Sequence, residues 1–231
     1  MKKVVLILGI LFLFAAANAQ AGFNFGVKAL SLSQTDPTRI ISNAGENTTA
    51  VPILTSHTLG AYFGFDVSPQ VVIFGGLDFY RSQVKRETTP PSGTITKYET
   101  SFTSFSPTVG VKFYFKPRTS GQITPYILGG IFKTFTSVTL DDPSYVITPQ
   151  NKSYDEELAK KINSPIGFYP AFGVEYYLSN NFSLGGEFGI RFSMASATSS
   201  VTVNSQTTSR KLTDTFISHY FGITLNYRFG E

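Results

Sequence analysis

Eight ionisable residues recur in comparable surroundings along this chain: Lys28, Asp66, Asp78, Lys112, Glu175, Glu187, Arg191 and Arg228. Each lies in a stretch where small or polar residues alternate with apolar or aromatic ones. An extended segment presents successive side chains to opposite faces, so the eight charges share one face. Four are basic and four acidic. Turned inwards, such a set has to pair, because an unpaired buried ion costs on the order of several kcal/mol. Two readings suit it: a salt-bridged plug that fills an interior, or a narrow ion path gated by those pairs. Paired carboxylates working as acid and base are a remote third.

Nucleophilic catalysis finds no constellation. The two histidines, His57 and His219, each follow a serine, Ser56 and Ser218. Adjacent strand residues point to opposite faces, so neither pair can form a dyad. Both histidines share the parity of the large apolar residues, where anchoring at an interface is their ordinary role. There is no cysteine, which removes disulfides and thiolate metal sites, and no cofactor or metal is expected. The doublets Gly75-Gly76, Gly129-Gly130 and Gly185-Gly186 precede no helix, as a phosphate loop would require. They relieve crowding and ease curvature in a tightly bent sheet.

The elements that must carry these residues are long strands. In the last, 213–229, Ile217, His219, Phe221, Ile223, Leu225, Tyr227 and Phe229 alternate with Ser218, Tyr220, Gly222, Thr224, Asn226 and Arg228. Strands of soluble proteins average about 5–6 residues, whereas a bilayer-spanning strand needs about 9–11. Similar segments fall at 22–32, 56–67, 71–83, 102–115, 122–140, 166–178 and 182–194. The facing of 122–140 stays open. Connections alternate long and short, with tight turns at Ser68-Pro69-Gln70, 116–121 and Ser179-Asn180-Asn181. This predicts an all-β fold, an eight-stranded antiparallel up-and-down transmembrane β-barrel. An even strand number puts both termini on one side, the periplasmic one. A barrel of this size is just wide enough for side chains to fill.

Composition agrees. Lys2, Lys3, an apolar run over 4–14 and Ala17-Asn18-Ala19 predict a signal peptide over 1–19, with the barrel spanning 20–231; the alternative is an uncleaved anchor. Formal charge falls from +4 to +2 without Lys2 and Lys3. The remaining basic residues are dispersed, which excludes nucleic acid as partner. The chain has 22 Phe and 12 Tyr, a load that suits lipid on the outer face. The long loops are rich in Ser, Thr, Asn and Pro, include Tyr98 and Tyr145, and are where an envelope partner would dock. In the third, Ser153 and Glu156 read as a capping box, with Glu156–Lys160 and Glu157–Lys161 as i,i+4 pairs. The helix this predicts, 154–162, either lies over the mouth or docks a partner, or else is a solvated loop helix.

The leader, the hairpin Phe172-Gly173-Val174-Glu175 through Ser179-Asn180-Asn181 to Gly185-Gly186-Glu187-Phe188-Gly189-Ile190-Arg191-Phe192, and the terminal YFGITLNYRF together resemble a known family. It is the small outer-membrane β-barrel domain family of Bacteroidetes-type bacteria, which includes PorT-like proteins. The chain is also similar in outline to the OmpA transmembrane domain and OmpX. The resemblance implies a home in the Gram-negative outer membrane, among lipid and lipopolysaccharide, with recognition by the barrel-assembly machinery through Tyr227 and Phe229. It further implies either a structural or interaction role, including accessory parts in secretion, or a small pore.

Overall fold

A computed structural model describes residues 22–34, 56–88, 96–141, 149–203 and 206–229. The segment assigned to the signal peptide, most of the first long loop (35–55) and the proline-rich connection at 89–95 lie outside the described residues, as does Tyr145. The strands are β1 (Phe23–Gln34), β2 (Ser56–Ser68), β3 (Val71–Thr88), β4 (Thr96–Tyr114), β5 (Ile123–Lys133) and β6 (Phe135–Asp141). After a helix, α1 (Pro149–Ile162), come β7 (Ile166–Tyr177), β8 (Phe182–Val203) and β9 (Gln206–Phe229).

Every pairing is antiparallel, and β3 pairs with both β2 and β4, so the sheet closes on itself. β5 and β6 both pair with β4 in one continuous register, Thr108 with Phe132 and Phe105 with Phe135. They form a single stave interrupted at Thr134. The wall is therefore an eight-staved barrel without an open edge along its closed part, which removes a template for aggregation.

Alternation assigns the faces. Phe25, Val27, Leu59, Phe63, Ile73, Leu77, Val109 and Val111 are exposed on the outside, as are Phe172, Val174, Ile223 and Leu225. Two aromatic girdles bound this apolar band. At the turn end Phe23 meets Phe65 at 5.4 Å and Phe229 at 5.7 Å between ring centroids. At the loop end Phe105 stacks on Phe135 at 5.0 Å and Phe168 on Phe192 at 4.8 Å. Such girdles flank the lipid-facing band of membrane barrels. The stave left open by the sequence resolves here: Thr124, Tyr126, Leu128 and Phe132 face inwards, Ile123, Ile127 and Ile131 outwards.

The three tight turns are present. That between β4 and β5 relies on Gly121, whose φ of 76° lies in the left-handed region that glycine adopts without steric cost; its N–H donates to Tyr177 O at 2.7 Å. At the other end the strands outrun expectation. β3 continues to Thr88, β4 starts at Thr96, and β8 and β9 run for 22 and 24 residues. The Ser/Thr-rich stretch 195–212 is thus not a loop but the top of a hairpin, paired as far as Val203 with Gln206. Above the lipid band the outer face no longer needs apolar residues, so the hydrophobic signal fades while Ser, Thr and Val still pair well as strand.

The helix also departs from its expected form. It starts at Pro149, so Ser153 lies within it rather than at its N-terminus. Proline is pre-organised for a first helical turn, and it sets the start earlier. Glu156 turns away from its own helix to accept the N–H of Leu140 at 2.9 Å. Of the two expected pairs only Glu157–Lys161 forms, at 2.7 Å.

Candidate functional site

All eight charges named from the sequence lie on the inner face, and they are arranged in tiers along the barrel. At the turn end Asp66 accepts from Arg228 Nε at 2.8 Å and from Asn24 Nδ2 at 2.5 Å. A ninth charge joins them. Arg118 folds back from the β4–β5 turn, engages both Asp66 oxygens at 3.0 and 2.8 Å, and lies 4.9 Å from the Tyr114 ring. This bidentate geometry is what a planar guanidinium favours.

The next tier is centred on Glu175, which is 1% exposed. It receives Lys112 Nζ at 2.8 Å, Tyr114 OH at 3.0 Å, Tyr177 OH at 2.7 Å and Ser183 Oγ at 3.2 Å. Four donors on one carboxylate satisfy nearly all its lone pairs, which is the condition for keeping it ionised in the interior. Tyr62 donates to Asn226, which donates in turn to Ser183. The Lys112 ammonium also lies 4.2 Å from the Tyr126 ring centroid.

Glu187 follows a different rule. Among the described residues it pairs with no cation, and it accepts Tyr126 OH at 3.1 Å and Tyr220 OH at 2.8 Å. Above it, Asp78 holds Lys28 at 2.8 Å on one oxygen and Arg191 at 2.6 Å on the other. Lys28 reaches Asp78 across Gly60, which is in register with both; a Cβ there would lie 2.5 Å from Asp78 Oδ1. Arg191 crosses the lumen from β8 and is bracketed by Phe132, Tyr169 and Tyr220 at 5.0–5.6 Å. With Arg118 counted, the described lumen holds five cations against four carboxylates.

The aromatic residues that fill the space between tiers are placed by glycines. Tyr62 lies opposite Gly26, Phe74 opposite Gly110, Tyr126 opposite Gly173, Tyr169 opposite Gly130 and Tyr220 opposite Gly189. A Cβ at Gly130 would come within 2.8 Å of Tyr169 Cε1, and one at Gly110 within 2.7 Å of Phe74 Cζ. These ring atoms come within reach of where a Cβ would stand, over bare backbone. Two cavities between the tiers hold about 20 Å³ each, room for about one water apiece.

Nearer the mouth the described lining is made of hydroxyls. Ser104 pairs with Thr136 at 2.8 Å and Ser106 with Thr134 at 2.7 Å, while Ser193 and Ser218 are buried. α1 completes this end. Leu158 and Ile162 pack with Ala195, Ala197 and Phe216. Ser164 accepts the Thr136 N–H at 3.0 Å, and Lys161 donates to Thr198 O at 3.2 Å.

His219 is exposed on the lipid side, stacked against Phe188 at 6.5 Å, while Ser218 is buried inside. The side chain of His57 lies outside the described residues. Tyr227 and Phe229 contact each other at 4.7 Å within the turn-end girdle. Arg118 and the tyrosine donors are what sequence reasoning missed. Parity could have revealed the tyrosines, since Tyr62, Tyr114, Tyr126, Tyr169, Tyr177 and Tyr220 all face in while most Phe face out.

The family model for the outer membrane protein beta-barrel domain matches residues 5–229. Among solved structures, Neisserial surface protein A is 13% identical with a TM-score of 0.51, covering 90% of this chain and 99% of its own. OprG from Pseudomonas aeruginosa is 15% identical with a TM-score of 0.48, covering 91% and 96%. A major outer membrane protein from Thermus thermophilus is 13% identical with a TM-score of 0.40, covering 90% and 99%. A search of curated protein sequences finds no match.

Proposed function

The chain belongs to the outer membrane protein beta-barrel domain family, and from that premise we propose that it is a closed structural and interaction protein of the outer membrane rather than a pore. One observation carries this reading: the lumen is filled tier by tier with hydrogen-bonded charges and rings, and the two cavities between those tiers hold only about 20 Å³ each. An ion path would need those tiers parted, and each parted pair leaves a buried ion uncompensated. The tight turns and both termini face the periplasm, and the long hairpins and α1 stand outside, the arrangement typical of such barrels. Lipid and lipopolysaccharide surround the apolar band. Tyr227 and Phe229 serve as the signal read by the assembly machinery. Partner contacts fall to the external elements, and the PorT-like resemblance points to an accessory part in a secretion or envelope complex.

Single-channel recording of the refolded mature chain in a planar bilayer tests this. Silence is expected, with a heat-modifiable gel band certifying the folded barrel. Steady conductance would overturn the closed reading and make the tiers a selectivity path.

A further inference from the structure

The stave formed by β7 is short. β7 begins at Ile166, paired with Lys133 on one side and Met194 on the other. Its neighbours continue well beyond that level, β6 to Asp141 and β8 to Val203. Among the described residues β6 pairs only with β4, and β8 above Met194 only with β9. The wall therefore has a notch one strand wide, with the edges of β6 and β8 facing each other across it. Strands two spacings apart are separated by about 9.6 Å, and a helix is about 10 Å across. α1 occupies that gap.

The helix closes the notch without backbone pairing. Above Thr134, whose N–H still finds Pro165 O at 2.8 Å, the edge groups meet side chains. Ser164 and Glu156 take the N–H groups of Thr136 and Leu140, and Lys161 caps Thr198 O. Among the helix side chains described, the apolar contacts that hold it in place are those of Leu158, Ala159 and Ile162. The surroundings of the notch also say what medium it faces. The outward apolar series stops at Phe135 on β6 and Met194 on β8. Beyond them the outward residues are Ser137, Thr139 and Asp141, and Ser196 and Thr198. The notch opens to water rather than to lipid, and its inner side is lined by the small residues Ala195 and Ala197.

We infer that the β6–β8 notch is a docking slot for an extended strand of a partner protein, which displaces α1 and completes the stave by backbone pairing on both edges. Side-chain caps leave the edge amides and carbonyls available to a main-chain partner, the basis of strand addition. Residues of the partner strand that point inwards would have to be small apolar ones to fit Ala195 and Ala197, and those pointing outwards polar. This deepens the interaction reading above and rests on it, but its test does not use conductance, so either can fail alone.

The probe is a fluorophore-labelled peptide of alternating threonine and valine, seven residues long to match β6, titrated into the refolded mature chain in nanodiscs and read by anisotropy. Two variants bracket the helix. Glu156→Ala with Ser164→Ala loosens it, and Ile162→Cys with Ala195→Cys locks it, cleanly because the chain has no other cysteine. A larger open fraction lowers the apparent Kd in proportion, so the loosened variant should bind about tenfold more tightly than the parent. The oxidised locked variant should not bind, and reduction should restore binding. A peptide with N-methylated alternate amides should not bind at all. Binding that ignores the lock, equal binding of the methylated peptide, or no binding to the loosened variant would each overturn the inference. So would a lock that governs uptake of a fluorescent fatty acid but not the peptide, which would make the notch a lipid portal.

Discussion

The turn-end half of the barrel and its mouth close the same cylinder by opposite means. Below the loop-end girdle, the interior is held by carboxylates such as Glu175, with four donors, and Asp78, gripped from two staves. At the mouth, hydroxyl pairs line the wall and a helix fills a missing stave through single side-chain caps. Parting the Asp66, Glu175 or Asp78 tier in the lower half strands a charge; the described hydroxyl pairs at the mouth can part without stranding one. Rigidity and adaptability are thus segregated along one axis, and the boundary lies near Asp78 and Arg191.

Substitutions can break or sharpen that division. Asp78→Ala leaves Lys28 and Arg191 buried and unpaired, and should cost about 3–5 kcal/mol, read as a lower temperature of conversion to the heat-modified gel band. Glu175→Gln, which leaves Lys112 facing a neutral amide, should come close behind. Gly130→Ala forces a Cβ against the Tyr169 ring and should cost about 1–3 kcal/mol by overpacking. Glu187→Gln removes no ion pair and should cost about 1 kcal/mol; a loss as large as that of Glu175→Gln would show that charge, not hydrogen bonding, matters at that tier. Ser164→Ala should leave the conversion temperature nearly unchanged while speeding proteolysis within α1. A barrel that melts with its helix would erase the distinction between the two halves.

How much of this was legible depends on the kind of signal. The lumen charges could be read because period-two alternation puts Asp66, Glu175 or Arg228 on a defined face whatever the rest of the chain does. The facing of β5 could not, because Tyr126, Leu128 and Phe132 inside are as apolar as Ile123, Ile127 and Ile131 outside. Arg118 belongs to a turn, where periodicity carries no information and only the folded path returns the side chain to Asp66. The upper parts of β8 and β9 were hidden by a change of solvent: in water, serine and threonine strands resemble loops. α1 was legible as a helix by its i,i+4 charges, but its place in the wall follows from the shortness of β7, which no local pattern announces.

The rings laid over glycines bear on how such a wall finds its alignment during assembly. Alternation rejects any slip by an odd number of residues, since that would turn the charged face to lipid. It is blind to slips by two, which keep every face correct. The pairing of Tyr62 with Gly26, Tyr169 with Gly130 and Tyr220 with Gly189 supplies the missing discrimination, because a displacement by two removes the bare backbone each ring needs. Face and position are therefore encoded separately, a coarse scale in hydrophobicity and a fine one in side-chain size. A glycine lost from the second scale would be expected to yield barrels that insert correctly yet are sheared by one step.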